Sequence, residues 1–220
     1  MGSDKSQHKK KKQRTVESLR RQANRRASYD VVLIVCEDSK SVPNYLKGLR
    51  DDLQLSNVNI RILGCPSGTD PLNNVDYTLE KLEENKIYDR AYCVFDQDRH
   101  EGYQPAIKKI NDNFSNGIPI YAIPSIPCFE YWLLLHFEET ARPYKNTGKK
   151  SSGDQLVSEL KKYMKGYNKG HKNIFEETKD LLDVAIDRAK KIDDLQRKNG
   201  TDNPSTKIYQ LVEYLRSIKK

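Results

Sequence analysis

The chain has 220 residues, 36% of them apolar and 32% charged, with a mass of 25.5 kDa and a mean hydropathy of −0.85. That length holds one core, or one with a smaller attachment, which excludes repeat arrays and multi-module machines, and no apolar run approaches the ~20 residues that span a bilayer. Residues 1–27 contain ten Lys/Arg and two Asp/Glu, so the body behind them carries 29 of each sign and the whole net charge of +8 sits at the front.

In chain order, the first element is therefore a basic arm, 1–27, expected to be disordered and suited either to phosphate contact or to plain solubilisation. It carries Lys9 to Lys12 but no apolar signal region, so export is not indicated and a cytoplasmic protein is expected. Val31 to Cys36 is a continuous β-branched run, the pattern of a strand covered on both faces. Ser41 and Pro43 supply cap and first-turn chemistry for a helix through Leu46, Leu49 and Leu53. A strand is expected over Val58 to Leu63, and Asp70-Pro71 opens a helix carrying Leu72, Val75, Leu79 and Leu82 on one face. A third strand is expected at Ala91 to Phe95 and a helix over Pro105 to Phe114. A fourth strand, Ile118 to Ile123, contains Pro119, which favours an edge or an end. Alternation of this kind predicts an α/β fold over 28–125, an open, mostly parallel sheet with helices on both faces. From 126 to 220 the expectation is a C-terminal helical part packed on it, with helices over 127–137, 153–165, 174–197 and 203–219 and no further strand. Asn203-Pro204 reads as cap and first position of the last helix, and 138–152 as a mobile loop.

Four cysteines, at 36, 65, 93 and 128, form no C-x-x-C pair and read as buried, reduced thiols rather than zinc ligands. The residues just past the strands carry more information, because ligands of open parallel sheets gather at the carboxyl ends of the strands. Strand one is followed by Glu37-Asp38 and strand three by Asp96-Gln97-Asp98-Arg99-His100. Single acids at such places are common turn formers and caps. Three at one sheet edge repel unless a divalent ion neutralises them, and Mg2+ or Mn2+ suits oxygen ligands. Glu130 enters an otherwise apolar helix start. It is either a first-turn acid favoured by the helix dipole or a further ligand at the same edge. Lys40, Arg99 and His100 read either as phosphate contacts or as solvated loop residues, and Lys169, His171 and Lys172, with Tyr167, as a substrate-binding cluster or as ordinary loop chemistry.

A Glu after the first strand with D-x-D after a later parallel strand resembles the Toprim domain. The stretches VLIVCEDSKSVPNYLKGL, VFDQDRH, IPSIPCFEYWLLLHF, GYNKGHKNIF and DNPSTKIYQLVEYL, in this order, are similar to the blocks of the RloB-like family over roughly residues 30 to 216. That resemblance implies a metal-dependent nuclease linked to restriction and phage-defence loci. It also implies a frequent AAA- or ABC-type ATPase partner and a nucleic acid substrate, DNA or RNA, tRNA included. Glu37 then matches the acid/base or ligand glutamate, and Asp96 and Asp98 the metal pair. Family members show E-G-x-x-T-E in the first block, whereas Val42 here stands in place of the second acid. A competing expectation follows, a catalytically degenerate nucleic-acid-binding or regulatory subunit of an ATPase-containing defence complex. A receiver- or flavodoxin-like domain shares the βαβ pattern, but the chain has neither G-x-G-x-x-G nor G-x-x-x-x-G-K-[ST].

Overall fold

The computed structural model describes residues 29–68, 70–97, 101–113 and 117–219. The basic arm, Asp98, Arg99, His100 and Phe114 lie outside the described residues. In order the elements are β1 (Val32–Cys36), α1 (Ser41–Asp52), β2 (Ile60–Gly64), α2 (Pro71–Glu84), β3 (Arg90–Asp96), α3 (Tyr103–Asn113) and β4 (Ile120–Ile126). There follow α4 (Glu130–Phe137), α5 (Ser152–Tyr163), a 3-10 turn (Lys179–Leu181), α6 (Leu182–Lys198), β5 (Ser205–Thr206) and α7 (Ile208–Ser217).

The sheet has the order β2-β1-β3-β4-β5, parallel except for the last pair. The period of two along β1 divides its apolar run between two cores. Val32, Ile34 and Cys36 face a core shared with Tyr45, Leu46 and Leu49 of α1 and with the C-terminal helices. Leu33 and Val35 face a core shared with Val75 and Leu82 of α2 and Ala106 and Ile110 of α3. Right-handed crossovers require this division. The chain leaves β1 in one direction through α1 and returns past it through α2, so the two helices must lie on opposite faces. All five residues of β1 are buried, the two-sided coverage its unalternated sequence predicts.

Five local expectations are corrected. Ser41 does not cap α1. The Asp38 carboxylate accepts from the backbone N–H of Ser41 at 2.9 Å and of Val42 at 3.3 Å, which frees the Ser41 hydroxyl for another partner. Asn203-Pro204 does not start the last helix, because the Asn203 side chain pairs with the Tyr144 backbone, accepting from its N–H at 3.1 Å and donating to its carbonyl at 2.8 Å. The chain beyond it stays extended, and Ser205 and Thr206 form a fifth strand where none was expected, antiparallel to Ser125 and Ile126. The segment 138–151 has no regular structure but is tied down, with Tyr144 buried and Ser151 closing a capping box on Asp154. The expected helix over 174–197 begins as turns, passes through the 3-10 segment and becomes α-helical only at Leu182.

All four cysteines are buried and free, as their spacing suggests. Burial pushes the thiols of Cys36, Cys93 and Cys128 up, which keeps them protonated and unreactive at neutral pH. In the middle of α1, a Cβ at Gly48 would lie 2.6 Å from Cβ of Phe175, an atom that no side-chain rotation can move. Gly48→Ala gains about 1 kcal/mol of helix propensity but overpacks this contact at a cost of about 1–3 kcal/mol. The expected result is a lower urea midpoint at unchanged slope, measured by circular dichroism.

Candidate active site

The strand order reverses between β1 and β3, which makes that gap the topological switch point where ligands of open α/β sheets bind. Glu37 follows β1 at the gap and is only 9% exposed. Its backbone N–H continues the ladder to the carbonyl of Val94 at 2.9 Å, and its Oε2 accepts from the backbone N–H of Asp96 at 2.6 Å. The side chain thus ties the end of β1 to the end of β3. Asp96, the last residue of β3, is half-buried. After β4 the chain turns through Pro127 into α4, whose first residue is Glu130, 2% exposed.

These three acids line one cavity of about 190 Å³, together with Asp38, Val42, Phe129 and Lys169. Burial pushes the Asp96 carboxyl well up from its ordinary value, and the negative charges of Glu37 and Glu130 push it further, against the ammonium of Lys169. The convergence expected of acids far apart in the chain is therefore present for Glu37, Asp96 and Glu130. Asp98, expected as the third member, lies outside the described residues, as do Arg99 and His100.

The expected basic cluster divides. Lys169 forms part of the cavity wall. His171 Nε2 instead meets Glu177 Oε1 at 2.6 Å, and Lys172 and Lys40 are exposed outside the wall. Tyr167 is not a stacking platform: it is 2% exposed and donates its hydroxyl to Glu130 Oε1 at 3.1 Å. What places Lys169 was not read from the sequence. Gly170 donates its backbone N–H to Ser41 Oγ at 3.0 Å, and Asn44 Nδ2 donates to the carbonyls of Gly170 at 3.1 Å and His171 at 3.4 Å. The first turn of α1 therefore holds the 167–171 segment against the acids. Gly170 has φ +94, a backbone conformation that calls for glycine. Behind the site, Asn74 of α2 is fully buried and its Nδ2 donates to the carbonyls of Val35 at 3.2 Å and Val94 at 3.4 Å, bridging β1 and β3 from the opposite face. A lone amide at an inward position of an amphipathic helix was its signal.

The donor set suits a hard divalent cation, since it consists of carboxylate oxygens around a carboxyl whose ionisation is resisted. Among the described residues no group of three or more His, Cys, Asp or Glu side chains is arranged to hold a metal ion. One oxygen of Glu37 accepts from the Asp96 N–H and one of Glu130 from the Tyr167 hydroxyl.

Fold and site together define an open α/β protein with an acidic pocket at its switch point. The family model of RloB-like proteins matches residues 32–215, and the chain belongs to that family. No curated protein and no solved structure matches it. Among the described residues no helix is long and apolar enough to cross a membrane.

Proposed function

We propose that this chain is a nuclease of the Toprim type, dependent on Mg2+ or Mn2+, which hydrolyses phosphodiester bonds of DNA or RNA in the cytoplasm during anti-phage defence. An AAA- or ABC-type ATPase is the proposed partner. The observation that carries the reading is the meeting of Glu37, Asp96 and Glu130, from the ends of β1 and β3 and the start of α4, in one small cavity at the switch point.

Glu37, Asp96 and Glu130 are the residues that would hold the ion, with Asp98 the expected fourth. A divalent cation supplies positive charge that polarises the phosphoryl group and offsets the charge developing on the leaving oxygen. The chain's own residues do the rest. Glu37 is held by the Asp96 N–H at the mouth of the gap, where a carboxylate can take a proton from water. Lys169 presents an ammonium beside the acids, placed to meet a phosphate oxygen and limit the repulsion between an anionic strand and an anionic site.

Val42 in the cavity wall favours the second reading, a regulatory subunit whose site no longer cuts, because it puts an apolar side chain where the family pattern has an acid. Two measurements on the full chain separate the readings. Calorimetric titration with Mn2+ is expected to show saturable binding that disappears in Asp96→Ala. Incubation with Mn2+ or Mg2+ and single-stranded DNA, duplex DNA, RNA and tRNA, with and without the neighbouring ATPase, is expected to show cleavage. Metal binding without cleavage of any substrate would leave the regulatory reading standing.

A further inference from the structure

The charge of the body is unevenly spread. Residues 145–172 contain eight lysines against two acids, Asp154 and Glu159, so this one segment carries +6 in a body that balances to zero. Both acids are already engaged. Asp154 Oδ2 accepts from the Ser151 N–H at 3.2 Å and from its hydroxyl at 2.8 Å, while Glu159 meets the Arg142 guanidinium and accepts from the Tyr144 hydroxyl at 2.7 Å. Lys149, Lys150, Lys161, Lys162, Lys165 and Lys172 are exposed, and among the described residues none of them stands in an ion pair. Cations elsewhere behave differently: Lys81, Lys108, Lys190 and Lys207 each meet a carboxylate at 2.5–2.8 Å.

Several of these lysines lie along one route that starts at the acidic cavity. The first turn of α5 abuts that cavity: a Cβ at Gly153 would lie 3.7 Å from Cys128 Sγ, and burial first, then the charges of Glu130 and Asp96, push that thiol up. The Asp154 carboxyl, one residue on, is held below its ordinary value by its bonds to Ser151 and then by the ammonium groups of Lys169, which lines the cavity, and of Lys150. Lys150 Nζ donates to Ser158 Oγ at 3.2 Å, one turn further along the helix. Lys161 and Lys162 follow at seven and eight residues from Asp154 on the same exposed face, and Lys165 lies just past the helix end. The 12 residues of α5 make this route about 18 Å long.

Cations without acidic partners on a balanced body, in a row that leads to a small cavity, call for a polyanion. A membrane surface fits less well, because the one large apolar side chain that α5 exposes, Tyr163, has its ring stacked on Phe137 and its hydroxyl on Glu138. We propose that Lys150, Lys161, Lys162 and Lys165 form a phosphate-tracking ridge that holds the backbone of a nucleic acid strand and leads it to Lys169. Lysines on flexible stems act as point charges, so the ridge reads charge and not sequence. That the strand it holds is the one cleaved rests on the nuclease reading; the binding itself needs neither metal nor cleavage.

The test is fluorescence anisotropy on the full chain in excess EDTA, with labelled oligo-dA, oligo-dT and mixed-sequence RNA of equal length, at several NaCl concentrations. The triple variant Lys161→Gln/Lys162→Gln/Lys165→Gln is expected to weaken all three alike by about tenfold at physiological salt, and to lower the slope of log affinity against log salt by about two, at about 0.7 per lost single-strand contact. Lys86→Gln/Lys108→Gln/Lys198→Gln removes as much charge elsewhere and is expected to keep the affinity within about twofold of wild type. If the two triple variants bind alike, or if poly-glutamate or phosphatidylglycerol vesicles of equal charge compete as well as a strand does, the ridge is not a nucleic acid surface. A ridge variant that loses binding, in a protein that never cleaves, overturns the nuclease reading and leaves the ridge. A ridge variant that cleaves with the wild-type KM overturns the ridge and leaves the reading.

Discussion

Asp96→Asn is expected to lower the proposed metal-dependent cleavage by at least about 10³-fold, equivalent to about 4 kcal/mol of barrier, and at the same time to raise the melting temperature of the metal-free protein. The two effects have one cause. Asp96 is half-buried beside Glu37 and Glu130, and its ionised form is disfavoured by burial first and by those neighbours second. Removing the charge relieves that penalty. It leaves untouched the Asp96 backbone N–H that Glu37 needs.

The pH dependence follows with a definite sign. A carboxyl whose folded pKa lies above its unfolded value holds its proton more tightly in the folded state, so its contribution to stability is greatest at low pH and is lost as pH rises through the folded value. His136 acts in the other direction: burial lowers it from 6.5 to about 4, and between those values acid favours the unfolded chain. The difference between wild type and Asp96→Asn isolates the carboxyl. That difference in melting temperature is expected to grow from pH 4 to pH 8 in EDTA, as read by differential scanning fluorimetry. A difference that stays constant or shrinks would show that Asp96 ionises without penalty.

The largest expected loss of stability belongs to Tyr45→Ala. Tyr45 of α1 is fully buried, and its ring meets Phe129, Trp132, His136 and Phe175 edge-on at centroid distances of 5.7, 6.2, 6.1 and 5.4 Å. Such edge-to-face contacts add to the area they bury. Emptying the centre of this group is expected to cost about 3–5 kcal/mol, a large share of the stability of an ordinary domain. Tyr45→Phe keeps the ring and gives up the 3.4 Å contact between its hydroxyl and His136, at a cost of about 1 kcal/mol. Urea titration of the pair measures both values. Equal losses would mean that the hydroxyl, not the ring, holds this region.

The parts of the fold that were legible are those whose signal is carried by neighbouring residues. β1 announces itself because six consecutive apolar residues, Val31 to Cys36, must be covered on both sides, and Glu37 and Asp96 stand out because they are polar residues at the ends of apolar runs. Glu130 was legible for the same reason, as an acid at the start of an apolar helix. β5 was not legible, because two polar residues, Ser205 and Thr206, have no periodicity to read, and their extended form depends on pairing with Ser125 and Ile126 some eighty positions earlier. The capping chemistry at α1 was visible as a group of small polar residues, but the division of labour was not, since Asp38 and Ser41 are equally good caps in isolation. The setting of Tyr167 was left open because a tyrosine in a glycine-containing loop looks the same whether exposed or buried; its partner, Glu130, lies 37 residues away. The choice of Lys169 over Lys172 and His171 depends in turn on the left-handed turn at Gly170 and its bond to Ser41.

That last attachment sets how small a working version of this protein can be. A fragment ending near residue 126 would keep Glu37 and Asp96 but would lack Glu130, the tyrosine that steadies it and the lysine that balances the charge. Shortening from the C-terminus therefore removes chemistry well before it reaches the sheet. An intact pocket needs the chain at least through His171, and a ligand that pried the 167–171 segment from Ser41 and Asn44 would take the pocket wall apart without entering it.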